Sequence, residues 1–165
     1  MFTTRRQLLI SGLPALLTSG GTLGEIDHAP EGGGGPGRDA PVRRLALLLG
    51  SAVADIPMED APANDVWAIQ SALIQRGFKP DQILNASGAI SKSVVSALLG
   101  DASGRIKDWI SGELLLYYSG HGDIDFAAAR PEPMLRLMDG LISWRTVFAS
   151  LAAPPGVRIT LLPDC

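Results

Sequence analysis

The chain has 165 residues, of which 46% are hydrophobic, and this is enough material for one domain of ordinary size. Its net charge of −3 argues against a nucleic-acid-binding surface, and no apolar run reaches the roughly 18–20 residues of a membrane-spanning helix. Cys165 is the one cysteine, which excludes an intrachain disulfide and a Cys-rich zinc cluster.

The N-terminus has the features of an export signal. Arg5 and Arg6 precede a short apolar stretch, residues 8–17, in an order similar to a twin-arginine signal. The stretch is too short to span a membrane but has the length of a signal-peptide core. We therefore predict a signal peptide over residues 1–24 and an exported protein, periplasmic or extracellular. The alternative is a basic N-terminus with an incidental arginine pair on a cytoplasmic protein.

Residues 25–41 are predicted to form a flexible linker, because glycine and proline dominate them. A phosphate-binding loop is the alternative for the glycine run 32–37. No apolar strand precedes that run, and no Lys-Ser or Lys-Thr pair follows it, so it lacks the flanks that such a loop needs. His28 lies in this segment and is expected to be solvated.

From Val42 onward, apolar runs alternate with helical patterns. The predicted strands cover residues 45–50, a short stretch around 82–84, residues 113–119 and residues 157–162. The predicted helices run from a cap at Asn64 or Asp65 to Gly77, from Ser91 to Gly100, over residues 105–111 and from a cap at Ser143, with a helical turn at 127–129.

The predicted helices each have an apolar side. The side chains expected to face inward in the second and third helices are Val94, Val95, Leu98, Leu99, Ile106, Trp109 and Ile110. Strands that alternate with helices predict an α/β fold with a mostly parallel sheet and helices on both faces.

Two of the predicted strands end in residues that carry chemistry. The strand 113–119 runs into Gly120-His121-Gly122, and the strand 157–162 runs into Asp164-Cys165. The carboxyl ends of parallel strands share one edge of the sheet, so His121 and Cys165 are expected to approach each other. A loop histidine or a lone cysteine is by itself more often structural. Together they form the nucleophile and base of acyl transfer, with the Gly122 N–H as an oxyanion donor.

From Val42 onward the chain resembles the caspase-like cysteine peptidases, in particular the metacaspase and bacterial caspase-like branch. The matching segments are RLALLLG, NDVWAIQSAL, LLLYYSGHGD, MDGLISW and ITLLPDC, and they cover about three-quarters of the chain. The resemblance implies that residues 42–165 form part of a caspase-like three-layer sandwich with a mostly parallel sheet. About four of the family's strands are expected here, and the family's later strands and pocket loops are not represented.

The resemblance makes His121 the catalytic histidine. In the metacaspase branch the strand that carries the catalytic cysteine usually ends in Asp-x-Cys-His-Ser-Gly. If Asp164 matches that aspartate, Cys165 occupies position x and the nucleophile is the next residue. If the cysteines are aligned instead, Cys165 is the nucleophile. Both alignments remain open.

The resemblance also implies a substrate preference and an activity. Asp65, Ser119 and Asp164 resemble the acidic S1 pocket that accepts Arg or Lys at P1, and two buried carboxylates there would favour a guanidinium. A helix cap is the alternative role for Asp65. We expect protein or peptide substrates and no obligatory cofactor. Calcium activates part of the family, but no calcium loop is visible, and Asp123 and Asp125 are expected to be solvated loop carboxylates.

The sequence therefore predicts a cysteine-type endopeptidase. Because the family's catalytic unit continues beyond its cysteine, the chain as given is expected to be an N-terminal portion, inactive and poorly soluble alone, with its last strand as an exposed apolar edge. One alternative is a non-catalytic caspase-like binding module. The other is an unrelated α/β domain with a chance Ser-Gly-His-Gly.

Overall fold

The computed structural model of the protein describes residues 42–53, 60–127 and 129–165. All of these lie within one unit, Asp39–Cys165. The predicted signal peptide, the predicted linker with His28, and part of the predicted turn at 127–129 lie outside the described residues.

The described residues form seven strands and three α-helices. The strands are β1 (Arg44–Ser51), β2 (Ile83–Gly88), β3 (Gly112–Gly120), β4 (Gly122–Asp125), β5 (Glu132–Leu137), β6 (Gly140–Ser143) and β7 (Val157–Asp164). The helices are α1 (Ala61–Gln75), α2 (Lys92–Ile106) and α3 (Trp144–Leu151), and a short 3-10 helix spans Pro80–Gln82. A four-stranded sheet has the order β2-β1-β3-β7, and a three-stranded sheet has the order β4-β5-β6.

The four-stranded sheet is parallel throughout, as the sequence predicts, and its central strands β1 and β3 are buried between helices. Leu45, Leu47 and Leu49 of β1 pack into a core shared with α2 and α3. Ala46 and Leu48 point to the opposite face, where Val66 and Leu73 of α1 cover them. The fold is therefore a three-layer α/β structure, because a strand that is apolar on both faces needs helices on both.

Helix α1 begins one turn earlier than the predicted caps. It starts at Ala61, so Asn64 and Asp65 lie inside the helix and cap nothing. Pro62 sits in the first turn, where a residue without an N–H removes part of the need for a cap. The predicted end is confirmed, because Gly77 follows the helix with a positive φ of 83°.

Helix α2 begins at the predicted cap, since the Ser91 hydroxyl accepts the Val94 N–H. The predicted end at Gly100 and the separate helix 105–111 are wrong, because one helix runs to Ile106. Val95, Leu99, Ala102 and Ile106 form a continuous buried stripe, and its packing outweighs the cost of a helical glycine. Two expected inward residues face solvent instead: Val94 is 41% exposed and Ile110 is 92% exposed.

The antiparallel sheet lies between the predicted strand 113–119 and the predicted cap at Ser143, where the sequence predicts only a helical turn. Asp123 and Asp125 lie in β4 and not in a loop; Asp123 is exposed, as expected, and Asp125 is half-buried. Asp123 forms a salt bridge of 3.1 Å with Arg136 of β5, and Asp125 accepts the Ala127 N–H. Leu135 and Leu137 of β5 pack into the core beneath α3. The Ser143 hydroxyl caps α3 as predicted, by accepting the Thr146 N–H at 3.1 Å.

Gly50 sets how closely α1 approaches the sheet. A Cβ at Gly50 would lie 2.5 Å from the Pro62 carbonyl oxygen and 2.9 Å from Val66 Cγ2. Gly50→Ala is therefore expected to lower the free energy of unfolding by about 1–3 kcal/mol, measured by urea denaturation. Gly100→Ala is the matched control, since nothing lies within 4 Å of its Cβ position. It should be neutral or stabilising by up to about 1 kcal/mol. Equal losses in the two variants would contradict this account of Gly50.

Candidate active site

A cleft opens at the carboxyl edge of the parallel sheet. Ser119 of β3 is level with Asp164 of β7, and Ser51 of β1 is level with Gly120, so the three strand ends lie side by side. The cleft has a volume of about 330 Å³ and is lined by Ala61, Pro62, Asp65, Ser119, Gly120, His121, Gly122, Asp164 and Cys165. All six residues that the sequence places in a catalytic or substrate-binding role line this one cleft.

One side of the cleft is acidic. The Ser119 hydroxyl donates a hydrogen bond of 2.8 Å to Asp65 Oδ2. The Tyr117 hydroxyl donates a weaker one, of 3.4 Å, to Asp164 Oδ2. The prediction that both carboxylates are buried is wrong, because Asp65 is half-buried and Asp164 is exposed. Asp164 lies on β7, one of the two edge strands of the parallel sheet.

Both carboxylates act electrostatically on Tyr117. Its pKa is raised to about 12, first by burial and then by the negative charges of Asp65 and Asp164. Both carboxylates therefore lie close enough to the same phenol to act on it. The sequence motifs did not identify Tyr117 as a residue near the site. Its position could have done so, because Tyr117 lies two residues before Ser119 and alternate residues of a strand share a face.

The backbone of His121 is held from below by Tyr118. The buried Tyr118 hydroxyl lies 2.8 Å from the His121 carbonyl oxygen and 2.9 Å from that of Arg136, so its single proton serves both. The Arg136 N–H also donates to the His121 carbonyl, at 3.0 Å. The Tyr118 ring meets Trp144 edge to face, with centroids 6.1 Å apart. These contacts fix the turn that carries the imidazole, and the sequence patterns alone did not reveal them.

Gly120 allows that turn to pass over Tyr118. Its φ is 150°, in the region that favours glycine. A Cβ at this position would lie 2.8 Å from the Tyr118 hydroxyl oxygen and 2.8 Å from the Ser51 carbonyl oxygen. The Gly-His-Gly pattern thus reflects close approach of the backbone to a buried phenol.

Gly122 and Cys165 are in contact at the centre of the cleft. A Cβ at Gly122 would lie 3.0 Å from Cys165 Sγ, so the thiol rests against the glycine backbone. Gly122 pairs with Leu135, while the Arg136 N–H bonds to His121, and this alternation turns the Gly122 N–H away from β5. Cys165 is exposed. Among the described residues, no hydrogen bond ties its thiol to the His121 imidazole.

The Asp123–Arg136 pair secures β4 next to the cleft. The pKa of Asp123 is lowered, first by the hydrogen bond from the Ile124 N–H and then by the Arg136 guanidinium. Asp123 therefore stays ionised near neutral pH, and the salt bridge persists there as an exposed contact of modest strength.

The chain's only two tyrosines provide a test of this geometry by alkaline titration. The pKa values of Tyr117 and Tyr118 are both raised to about 12 in the folded protein, chiefly by burial. The unfolded value is about 10. The raised values stabilise the fold fully below about pH 10, and this contribution is lost as the pH rises towards 12.

We therefore expect the tyrosinate absorbance of the folded protein to rise near pH 12, and that of the urea-unfolded protein near pH 10. Tyr118→Phe should remove about half of the change and part of the alkaline loss of stability. A folded-state midpoint near pH 10 would show that the two phenols are not held as described.

No protein-family model matches the chain, and a search of curated proteins found no match. Within the described ranges, no group of three or more His, Cys, Asp or Glu side chains is placed to hold a metal ion. None of the described helices is long and apolar enough to cross a membrane.

Proposed function

We propose that this chain carries the active-site cleft of a caspase-like cysteine endopeptidase that cleaves after arginine or lysine. The observation that supports this most is the composition of one cleft. An imidazole, a thiol, a backbone glycine and two carboxylates meet at the carboxyl edge of a parallel sheet. Such an edge is where open α/β sheets bind their ligands.

In the alignment that makes Cys165 the nucleophile, the proposed reaction begins with proton transfer from the Cys165 thiol to the His121 imidazole. The thiolate then attacks the carbonyl carbon of the scissile peptide bond, forming a C–S bond and an oxyanion. The Gly122 N–H, which points away from β5, donates to that oxyanion. As the C–N bond breaks, the imidazolium protonates the leaving amine. Water, deprotonated by the same imidazole, hydrolyses the thioester and restores the thiol.

The acidic side of the cleft supports a basic residue at P1. A guanidinium can donate to the Asp65 and Asp164 carboxylates, and its planar fork suits two acceptors. Ser119 holds Asp65 in place through its 2.8 Å hydrogen bond. An acidic P1 side chain would be repelled by the two carboxylates, so we expect little cleavage after aspartate.

The second candidate is a module that binds basic peptide segments without cleaving them. The specific observation in its favour is that the acidic side is held by hydrogen bonds from Ser119 and Tyr117, whereas the thiol is exposed and not bonded to the imidazole. Catalytic hydrogen bonds often close only when substrate binds, so this observation does not exclude the dyad.

The test is hydrolysis of fluorogenic peptides that end in Arg, Lys, Asp or norleucine, by the protein and by Cys165→Ser. If Cys165 is the nucleophile, we expect cleavage after Arg and Lys only, abolished in the variant. If the nucleophile is the residue after Cys165, we expect the chain to bind the arginyl peptide without cleaving it. Faster cleavage after Asp would contradict the basic P1 preference. Cleavage that survives in Cys165→Ser would contradict the role of the thiol. Binding of the arginyl peptide with no cleavage by the unaltered protein would favour the binding module or the alignment in which the nucleophile follows Cys165.

A further inference from the structure

A second cleft lies on the other side of Cys165. It has a volume of about 460 Å³, and its apolar walls are formed by Ile124, Phe126, Pro133, Met134 and Trp144. Gly122 and Cys165 line both this cleft and the acidic one. The two clefts therefore meet at the thiol, and a ligand in one can continue into the other.

Exposed apolar side chains form the mouth of the second cleft. Phe126 is 76% exposed and Ile124 is 49% exposed, although both are large and apolar. The one charged residue of the lining, Asp123, is paired with Arg136 at 3.1 Å. The cleft thus offers an apolar surface whose only charge is already compensated, which suits an apolar or aromatic side chain.

The two clefts belong to opposite faces of the sheet. The acidic cleft is bounded by Pro62 and Asp65 of α1, and α1 covers the face with Ala46 and Leu48. The apolar cleft is bounded by Trp144, which packs into the core on the other face. Successive side chains of an extended peptide point in opposite directions, so neighbouring substrate residues can enter the two clefts.

The position of the thiol shows which neighbour enters the apolar cleft. With a basic side chain in the acidic cleft, the attacked carbonyl lies over Cys165. The residue that follows this carbonyl lies beyond the sulfur, and the residue that precedes the basic one lies on the side away from it. We propose that the apolar cleft is the subsite for the substrate residue immediately after the scissile bond, and that it takes an aromatic or large aliphatic side chain. This proposal rests on the proposed function.

The test measures peptide binding by NMR titration of the ¹⁵N-labelled full chain carrying Cys165→Ala, which prevents cleavage. The probes are acetyl-Arg-Phe-amide, acetyl-Arg-Ser-amide and acetyl-Phe-Arg-amide. We expect the first to bind about tenfold more tightly than the other two, because only it buries a phenyl ring in the apolar cleft. The added shifts should fall on the Ile124 and Phe126 amides.

Phe126→Ser should reduce that tenfold advantage to less than about twofold, with the affinity for acetyl-Arg-amide unchanged. Ile110→Ser is the matched control, because Ile110 is 92% exposed and lines neither cleft. Equal affinities of Arg-Phe and Arg-Ser, or an advantage that survives in Phe126→Ser, would overturn the subsite. Tight binding of Phe-Arg would overturn its assignment to the residue after the bond.

The same titration distinguishes failure of the proposed function from failure of the apolar subsite. If acetyl-Arg-amide does not perturb the Asp65 and Ser119 amides, the acidic cleft does not bind a basic side chain and the proposed function is wrong. The apolar cleft is then tested by acetyl-Phe-amide alone. Shifts at Ile124 and Phe126 with this probe would support an aromatic-binding site, and their absence would overturn it.

Discussion

Replacement of His121 by glutamine is expected to reduce hydrolysis of an arginyl peptide by about 10²–10⁴-fold, the usual contribution of a positioned acid–base group. Glutamine keeps the size and polarity of the side chain but cannot exchange a proton near neutral pH. The backbone of residue 121 is held through its carbonyl by Tyr118 and Arg136. The substitution should therefore leave the fold intact, which circular dichroism and urea denaturation will check.

A second measurement isolates the effect of His121 on the thiol. A neighbouring imidazolium favours the thiolate, so alkylation of Cys165 by iodoacetamide near neutral pH should slow by about tenfold in His121→Gln. The control is His28→Gln, at the chain's only other histidine. If His121→Gln alters neither hydrolysis nor alkylation, the two side chains do not act as a pair.

Replacement of Asp65 by asparagine is expected to reduce the preference for arginine over citrulline by about tenfold, measured as the ratio of kcat/KM values or of binding constants. Hydrogen bonds to charged groups contribute about 1.5–3 kcal/mol, and solvent weakens this contribution at a half-buried carboxylate. Citrulline has the shape of arginine without its charge. Asparagine retains an acceptor for the Ser119 hydroxyl, which now bonds to Asp65 at 2.8 Å.

The control for Asp65→Asn is Asp108→Asn, which removes the same charge at an exposed position outside the cleft. It should leave the arginine preference within about twofold of the original, because a distant surface charge is screened. If Asp65→Asn weakens arginine and citrulline equally, Asp65 serves the structure of α1 and not the recognition of a basic side chain.

The parallel sheet was predictable because its two central strands, β1 and β3, are buried on both faces. Such strands appear as uninterrupted apolar runs, as in Leu45–Leu49 of β1, and their glycine or polar ends mark the edge of the sheet. The small antiparallel sheet gave no such signal. β4 and β6 have four residues each, and β5 contains Pro133 and Arg136. Their register depends on contacts with α3 and the core, which no local pattern reports.

The helix ends were less predictable than the helices. Polar residues at positions 64 and 65 have the composition of a cap, but Pro62 allows α1 to begin earlier. Gly100 has the composition of a helix end, but the buried stripe from Val95 to Ile106 continues through it. In α2 tertiary packing outweighed a local preference, whereas in α1 one local preference outweighed another.

The members of the cleft were predictable because strand order places the ends of β3 and β7 together. The hydrogen bonds that hold these residues in place were not predictable. The Tyr118 hydroxyl contacts the carbonyl of His121, in the turn after β3, and the carbonyl of Arg136, in β5 of the antiparallel sheet. Only the folded chain brings these groups together. The exposure of Asp164 likewise follows from the edge position of β7 and not from the apolar run that precedes it.

Affinity labelling tests directly whether His121 and Cys165 act as a pair beside an acidic cleft. The unaltered protein is treated with an arginyl chloromethyl ketone or its aspartyl counterpart, and mass spectrometry locates the adduct. An imidazole–thiol pair beside an acidic pocket predicts that the arginyl reagent modifies Cys165 at least about tenfold faster than the aspartyl reagent. Free acetyl-arginine amide should slow the arginyl reaction. Equal rates, a faster aspartyl reaction or an adduct outside the cleft would contradict the account.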